Sequence, residues 1–345
     1  MDARPFLSVI VPVHNGGEVF ARCLTGLARS TFRDFELIVV DDGSTDGSAT
    51  LAEHFGARVL HTGGKHGPGA ARNLGARLAR GEYVYFVDAD CEVYPVTLSQ
   101  VAEILRSDST LEALFGSYDD EPSAGNLIAQ YKNLFHHYMH QTSKEQASTF
   151  WAGCGAVRRS TFLALGGFDV RGYSRPSIED IDLGYRISLS GGRIYLAKHV
   201  QVKHHKAWRL GSLVRTDLFD RGIPWARLIM RNRMLFLNDL NLQMRNRLSV
   251  LASYGLPLGV VASLLWPQML AVAIMLLAAI AALNFETYRF FHRKRGLVFL
   301  LRIIPLHWLY YIYSGLAMVL GLALHWRDRA LRRPYIAPEA LSGGD

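Results

Sequence analysis

Tyr83-Val84-Tyr85-Phe86-Val87-Asp88-Ala89-Asp90 is the stretch on which the reading of the fold turns. Five aromatic or β-branched residues in a row predict a buried strand, and two acids follow at its exit. Side-chain direction repeats every two residues in extended chain, so Asp88 and Asp90 are expected on the same side. Carboxylate oxygens placed in that way suit a divalent cation, Mg2+ or Mn2+, bridging the phosphates of a nucleotide. An Asp-x-Asp in an ordinary surface turn is the plain alternative.

Working outward toward the N-terminus, the same rhythm of short apolar run and helical segment repeats. Leu7 to Val13 precedes Val19 to Ser30, Glu36 to Asp41 precedes Ser48 to Phe55, and Ala57 to His61 precedes Gly69 to Ala79. Strands alternating with helices predict a largely parallel sheet with helices on both faces, and ligands of such sheets bind at the carboxyl ends of the strands. The polar residues fall at those ends: His14 and Asn15 after the first strand, Asp41 and Asp42 after the second, Asp88 and Asp90 after the fourth. Asp41 and Asp42 stand where an apolar strand meets Gly43, positioned to accept hydrogen bonds from a base or a ribose. Helix capping accounts for Asp46 but not for two acids before the glycine. In Gly67-Pro68-Gly69-Ala70-Ala71-Arg72-Asn73 a glycine loop feeds a helix carrying Arg72 in its first turns, a plausible diphosphate neighbour or an ordinary helix start.

Beyond the Asp-x-Asp, Trp151-Ala152-Gly153-Cys154-Gly155-Ala156 is a run of small residues where a ligand or backbone could come close. Glu179, Asp180 and Asp182 open a helix, where acids stabilise the N-terminus through its dipole. The functional alternative makes Asp180 a general base facing an acceptor hydroxyl. His199 to His205 reads as a strand; its two terminal histidines point opposite ways, so at most one of them completes a metal site.

Composition narrows the classes. Of 345 residues half are apolar, which rules out disorder as a default, and the net charge of +8 predicts attraction to something anionic. Cys23, Cys91 and Cys154 lie far apart, without zinc spacing or the even count of a disulfide framework, and are expected reduced. The apolar run at Leu7 is too short for a signal-peptide core, so this part of the chain is expected on the cytoplasmic side. The first strand leads into His14-Asn15-Gly16-Gly17-Glu18 rather than a GxGxxG turn, which argues against a dinucleotide-dependent oxidoreductase. The arginines cluster beside hydrophobic runs and no nucleic-acid fold signature is present, so no nucleic-acid partner is expected.

Residues 248–285 contain no Asp, Glu, Lys or Arg. As one helix they would measure roughly 57 Å against a hydrocarbon core of about 30 Å, so a break at Pro267 and a membrane hairpin are predicted. A second uncharged run, 303–326, is long enough to span once. Basic clusters lie between the runs (Arg289, Arg293, Lys294, Arg295) and after them (Arg327, Arg329, Arg332, Arg333). The positive-inside rule puts both clusters in the cytoplasm, which a hairpin plus one full crossing cannot satisfy. A re-entrant or interfacial third segment, or a tail that breaks the rule, are the two ways out.

Taken in order, VIVPVHN, VVDDGSTD, GPGAARN, VDAD, GCGAVRR, GGFD, EDIDLGYR and VKHH resemble the family 2 glycosyltransferases of GT-A fold, over roughly residues 5 to 210. The resemblance implies an α/β fold with a mostly parallel central sheet and helices on both faces, followed by C-terminal transmembrane helices. It implies inverting transfer from a nucleotide-diphosphate sugar. By the same resemblance Pro12, Asn15, Asp41, Asp42, Arg72, Asp88 and Glu179 border the nucleotide sugar, Asp90, Asp88 and His204 hold the divalent cation, and Asp180 is the base. The expected organisation is a catalytic domain at 1–210, a basic juxtamembrane helical segment at 211–247, a transmembrane hairpin at 248–285, a basic loop or interfacial segment at 286–302, a third membrane segment at 303–326 and a polar tail at 327–345. Fusion of the catalytic part to such segments predicts an integral membrane protein that contacts the phospholipid bilayer and uses a lipid-linked or glycolipid acceptor. Processive relatives carry Gln-x-x-Arg-Trp near the membrane, whereas this chain has Asp220-Arg221-Gly222-Ile223-Pro224-Trp225, so a non-processive enzyme is expected. A processive polysaccharide synthase and a polyprenyl-phosphate glycosyltransferase are the alternatives.

Overall fold

A computed structural model describes residues 4–173, 175–231 and 243–331. Arg233 of the juxtamembrane segment and most of the expected tail, with Arg332 and Arg333, lie outside the described residues. Two compact units emerge, one of residues 4–125 and 140–207, the other of 126–139 and 208–331.

The first unit is built on one sheet. In chain order its elements are β1 (Leu7–Val13), α1 (Gly17–Ala28), β2 (Phe35–Asp41), α2 (Ser48–His54), β3 (Arg58–His61), α3 (Pro68–Leu78), β4 (Tyr83–Val87), β5 (Cys91–Val93), α4 (Thr97–Ser107), β6 (Leu111–Tyr118), α5 (Leu127–Thr142), β7 (Gln146–Ala147), β8 (Cys154–Arg158), α6 (Arg159–Ala164), α7 (Glu179–Leu189) and β9 (Arg193–His204). The strand order is β3-β2-β1-β4-β8-β6-β9-β5, with β7 on β9. From β3 to β4 every pairing is parallel, as the alternation predicts. The other half is mixed: β8 runs antiparallel to β4 and β6, β6 is parallel to β9, and β5 is antiparallel to β9. The reason is connection length. A parallel neighbour needs a crossover of a dozen residues or so, and only three residues separate β4 from β5, which therefore joins β9 instead.

Every residue of β1 and β4 is buried, because helices cover both faces of the sheet. On one face Phe20, Leu24 and Leu27 of α1 and Leu98, Val101 and Leu105 of α4 pack against Val9, Val11 and Tyr85. On the other, Ala71 of α3, Phe162 of α6 and Leu183 and Ile187 of α7 pack against Ile10, Val40 and Phe86. The sheet is thereby clamped on both faces while its loop-bearing ends stay open.

The second unit is helical: α5 up to residue 139, α8 (Leu210–Arg215), a π-helical turn (Thr216–Gly222), α9 (Ile223–Arg231), α10 (Met244–Ala262), α11 (Met269–Leu283) and α12 (Phe285–Ala330). Residues 126–139 were expected within the catalytic domain; their aromatic face instead builds this unit, with Tyr131, Phe135 and Tyr138 packed among Phe291, Tyr310 and Tyr311. The hairpin breaks at 263–268, around Pro267, as predicted. The 286–302 stretch, expected as a loop or interfacial segment, is helical on both sides of Gly296, whose φ of 81° kinks α12. Among the described residues one helix, Phe285–Ala330, is long and apolar enough to cross a membrane by length and composition.

Candidate active site

At the carboxyl ends of β1 and β2 the backbone turns sharply enough for Asn15 to adopt φ 52°. Its Oδ1 accepts the Thr45 N–H at 2.8 Å and its own N–H donates to Ser44 Oγ at 3.0 Å, tying the two loops together. Pro12 is buried in β1 opposite Val40. Asp41 accepts the Ser44 N–H at 3.0 Å and faces His61 Nδ1 at 3.2 Å. The Asp42 carboxylate accepts from Thr62 Oγ1 at 2.9 Å, His66 N–H at 2.9 Å and Gly67 N–H at 2.7 Å. Asp42 therefore braces the glycine loop that launches α3. Asp46 is not the cap that was expected: Gly47 holds the N-cap of α2, and Asp46 instead accepts the Ser48 N–H at 3.0 Å in a local turn and the Gly17 N–H at 3.0 Å.

Arg72 leaves the first turns of α3 nearly buried and reaches two clusters of acid. Its Nη2 donates to Asp88 Oδ1 at 2.5 Å and its Nη1 lies 3.7 Å from Glu179 Oε1. Burial works against the charge, but the carboxylates of Asp88, Glu179 and Asp180 outweigh it and raise the guanidinium pKa. Glu179 is further engaged by the Ser177 N–H at 2.7 Å. Asp180 accepts the Ala152 N–H at 3.2 Å and the Ile181 N–H at 2.8 Å. Burial, and then the adjacent Glu179 carboxylate, push the Asp180 carboxyl up from 3.8 to about 6. A carboxylate poised so close to neutrality both holds and releases a proton readily.

Asp88 and Asp90 are not side by side on a strand. β4 ends at Val87, and residues 88–90 form a turn closed by the Cys91 N–H on Asp88 O at 2.9 Å, so the two-residue alternation does not apply. Asp88 turns to Arg72, while Asp90 Oδ2 lies 3.5 Å from His204 Nε2. Burial would raise the Asp90 pKa, but the His204 ring and then Lys206 bring it down to about 2. Ligand atoms of Asp90, Cys91 and His204 lie within 4.8 Å of one another; Asp88 is not in that group, a departure from the expected ligand set explained by its guanidinium partner. His205 points away and pairs with Glu92 at 2.9 Å, so of the two histidines only one faces the acids of the turn.

The run 153–155 is small for an internal reason. A Cβ on Gly153 would stand 2.4 Å from the Trp151 ring, and one on Gly155 2.4 Å from Trp151 O and 2.5 Å from the Phe150 ring. Closeness there is to the chain's own aromatics. Sequence reading missed the stack beside the metal-ligand group: Tyr118 lies flat on His204 with centroids 4.1 Å apart, and Trp151 stands edge-on to Tyr118 at 4.7 Å. Tyr118 ends β6 and leads into Asp119-Asp120, an acidic strand exit that the sequence reading passed over; Asp119 pairs with Lys203 Nζ at 2.9 Å.

These elements, with the acids gathered at one edge of a mixed sheet, can be set beside known proteins. Residues 8–166 match Glycosyl transferase family 2. That part of the chain thus resembles a glycosyltransferase domain, and its fold is GT-A-like. It is 42% identical over 100 residues to the uncharacterized glycosyltransferase YibD of Escherichia coli, a match covering 28% of this chain and 29% of the relative. It is 32% identical over 126 residues to the glycosyltransferase GlyG of Streptococcus pneumoniae, covering 35% and 42%. A third relative is a PGL/p-HBAD biosynthesis glycosyltransferase of Mycobacterium bovis, 36% identical over 120 residues and covering 33% and 47%. The chain spans less than half the length of these curated relatives. Among solved structures, the mannosyltransferase PcManGT of Pyrobaculum calidifontis, in complex with GDP-Man and Mn2+, superposes with a TM-score of 0.55 at 17% identity, covering 95% of this chain and 89% of that one. S. aureus TarS 1–349 with UDP-GlcNAc gives 0.53 at 18% identity, covering 95% and 93%.

Proposed function

We propose that this protein is an inverting, non-processive glycosyltransferase that moves a sugar from a nucleotide-diphosphate donor to an acceptor hydroxyl held at a membrane surface, with its catalytic unit on the cytoplasmic side. The observation that carries the reading is Asp180, a half-buried carboxylate with a raised pKa, held by the Ala152 N–H and sharing Arg72 with Asp88. Pro12, Asn15, Asp41 and Asp42 serve the nucleotide by shaping the loops at the ends of β1 and β2. Arg72 stands beside the diphosphate, with Asp88 and Glu179 holding it in place. The catalytic domain is taken as 1–210 without residues 126–139, which cluster with the helical unit.

Asp90 and His204 fit a divalent cation as a hard oxygen and an imidazole nitrogen. Cys91 suits that set less well, because its thiolate is a soft ligand whereas Mg2+ and Mn2+ favour hard oxygen donors. The cation supplies positive charge against the departing diphosphate, a role supported by the Mn2+ that accompanies GDP-Man in the Pyrobaculum calidifontis mannosyltransferase. Asp180 takes the proton from the acceptor hydroxyl as its oxygen bonds to the anomeric carbon. The bond from that carbon to the phosphate oxygen breaks, and the nucleoside diphosphate leaves with the electron pair. One in-line displacement inverts the centre and needs no covalent enzyme intermediate.

Membrane attachment rests on α10, α11 and the turn between them, which leave Leu251, Leu258, Leu264, Leu265, Ile274 and Met275 between 59% and 83% exposed. So much exposed apolar surface marks an interaction face, and lipid covers it at least cost. An acceptor anchored in lipid accounts for the fusion of the two units. The test is a thermal-shift screen of nucleotide sugars on the purified protein, then mass analysis of a membrane lipid extract incubated with the best donor and Mn2+. A lipid gaining the mass of one sugar residue is expected; no donor binding, or a ladder of many additions, contradicts the proposal.

A further inference from the structure

The α10–α11 hairpin is short for a crossing. Its helices meet closely, with Gly255 and Gly259 of α10 against Leu276 and Ala273 of α11. From Leu248 to the end of α10 is fifteen residues, and α11 has the same number. Each limb is about 22 Å long against a hydrocarbon core of about 30 Å. The tip carries nothing to anchor in a far headgroup layer by charge: Leu264 is 83% exposed, Leu265 74% and Trp266 56%. At the base, just past α11, Arg289, Arg293, Lys294 and Arg295 are exposed and offer a positive rim to anionic headgroups.

α12 has the length to cross but not the neighbours. It is tied to the base half of the hairpin, where Tyr254 Oη donates to Ile312 O at 2.6 Å. Its earlier part packs on the aromatic face of α5, and from Tyr313 onward it is laid on residues 210–231. A Cβ on Gly222 would stand 2.7 Å from Ala317 Cβ, one on Gly321 2.5 Å from Ala226 Cβ, Tyr313 donates to Asp217 at 2.8 Å, and Arg227 pairs with Asp328 at 2.5 Å. That companion stretch carries Arg215, Asp217, Asp220, Arg221, Arg227 and Arg231 within 22 residues. If α12 crossed the bilayer it would carry this charged partner into the hydrocarbon with it, where ionised side chains are costly and rare.

Building on the membrane attachment proposed above, we infer that the helical unit is monotopic. The hairpin dips into the bilayer from one face and returns, its basic rim meets anionic headgroups, and α12 lies along that same face with residues 210–231 on its polar side. Both basic clusters of the described residues then share one side of the membrane, which satisfies the positive-inside rule without a crossing.

Cysteine mapping tests this on the full chain, because the native Cys23, Cys91 and Cys154 are buried and silent to an impermeant maleimide. Arg293→Cys reports the rim, Arg329→Cys the far end of α12, and Leu265→Cys, with Trp266→Cys as a second probe, the tip. Each is made singly, recovered in sealed right-side-out and inside-out membrane vesicles, and retained through an alkaline wash. The expected result is that the rim and the α12 end label from the same face only, while the tip stays unlabelled from either face until detergent is added. Rim and α12 end labelling from opposite faces, or a tip that labels from the face opposite the rim, overturns the monotopic arrangement while leaving membrane attachment intact. Release of the unmodified protein by the alkaline wash overturns the attachment itself.

Discussion

Asp180, the base in the proposed transfer, has a carboxyl pKa displaced upward by burial and then by Glu179, from 3.8 to about 6. As a base it must be ionised, so turnover at saturating donor should fall tenfold per unit as pH drops below about 6 and level off above it. A pH–rate profile checks this; a profile flat to pH 5 contradicts it. The linkage has the opposite sign for stability. Between 3.8 and about 6 the native state binds more protons than the unfolded chain, so this group's contribution falls as pH rises through that window. Asp180→Asn should therefore raise stability at pH 7, by about 1 kcal/mol after allowance for partial solvent screening, as read by thermal melting. Arg72 is the second test at this scale. Arg72→Ala strands Asp88 and Glu179 without their partner and should cost about 3–5 kcal/mol in denaturant unfolding. Asp180 and Glu179 were legible from their place at a helix start. The pairing of Asp88 with Arg72 was not, because it depends on a turn at 88–90 that a two-residue alternation cannot foresee.

Elements legible in the sequence are those with apolar runs. β1 and β4 announce themselves because they are buried on both faces, and β2 because its second half, Ile38 to Asp41, is buried. β6 and β8 contain Gly116 and Gly155, and their signal dissolves into small residues. Those glycines hold the mixed half of the sheet together. A Cβ on Gly116 would stand 2.2 Å from Val200 O of β9 and 2.9 Å from Cys154 Sγ of β8. Gly116→Ala must push strands apart and should destabilise by about 1–3 kcal/mol or more, seen as a lowered melting temperature. A variant as stable as the parent contradicts that packing. The aromatic face of α5 was invisible for a different reason: Tyr131, Phe135 and Tyr138 show helical spacing, but the residues they pack on lie more than 150 positions away.

For the whole molecule, the proposed membrane attachment gives the two units different solvents. The first unit hides its apolar residues under helices, and the second leaves Leu251, Leu258 and Leu264 exposed on helices that carry no charge from 248 to 285. Leu265→Glu at the hairpin tip should shift the protein from the membrane toward the soluble fraction on flotation, while donor binding is unchanged. Removal of divalent cations by a chelator should abolish transfer, with Mn2+ or Mg2+ restoring it, and His204→Ala should raise the Mn2+ needed for half-maximal activity by about 10–100-fold. The central claim, that Asp180 is the base of a sugar transfer, is tested most directly by comparing Asp180→Asn with the parent for donor affinity by calorimetry and for nucleoside diphosphate release in the presence of acceptor membranes. The account predicts donor affinity within a few-fold of the parent and release slowed by at least about 10²-fold. Release at the parent rate by the variant, or loss of donor binding with unchanged turnover of what still binds, would contradict it.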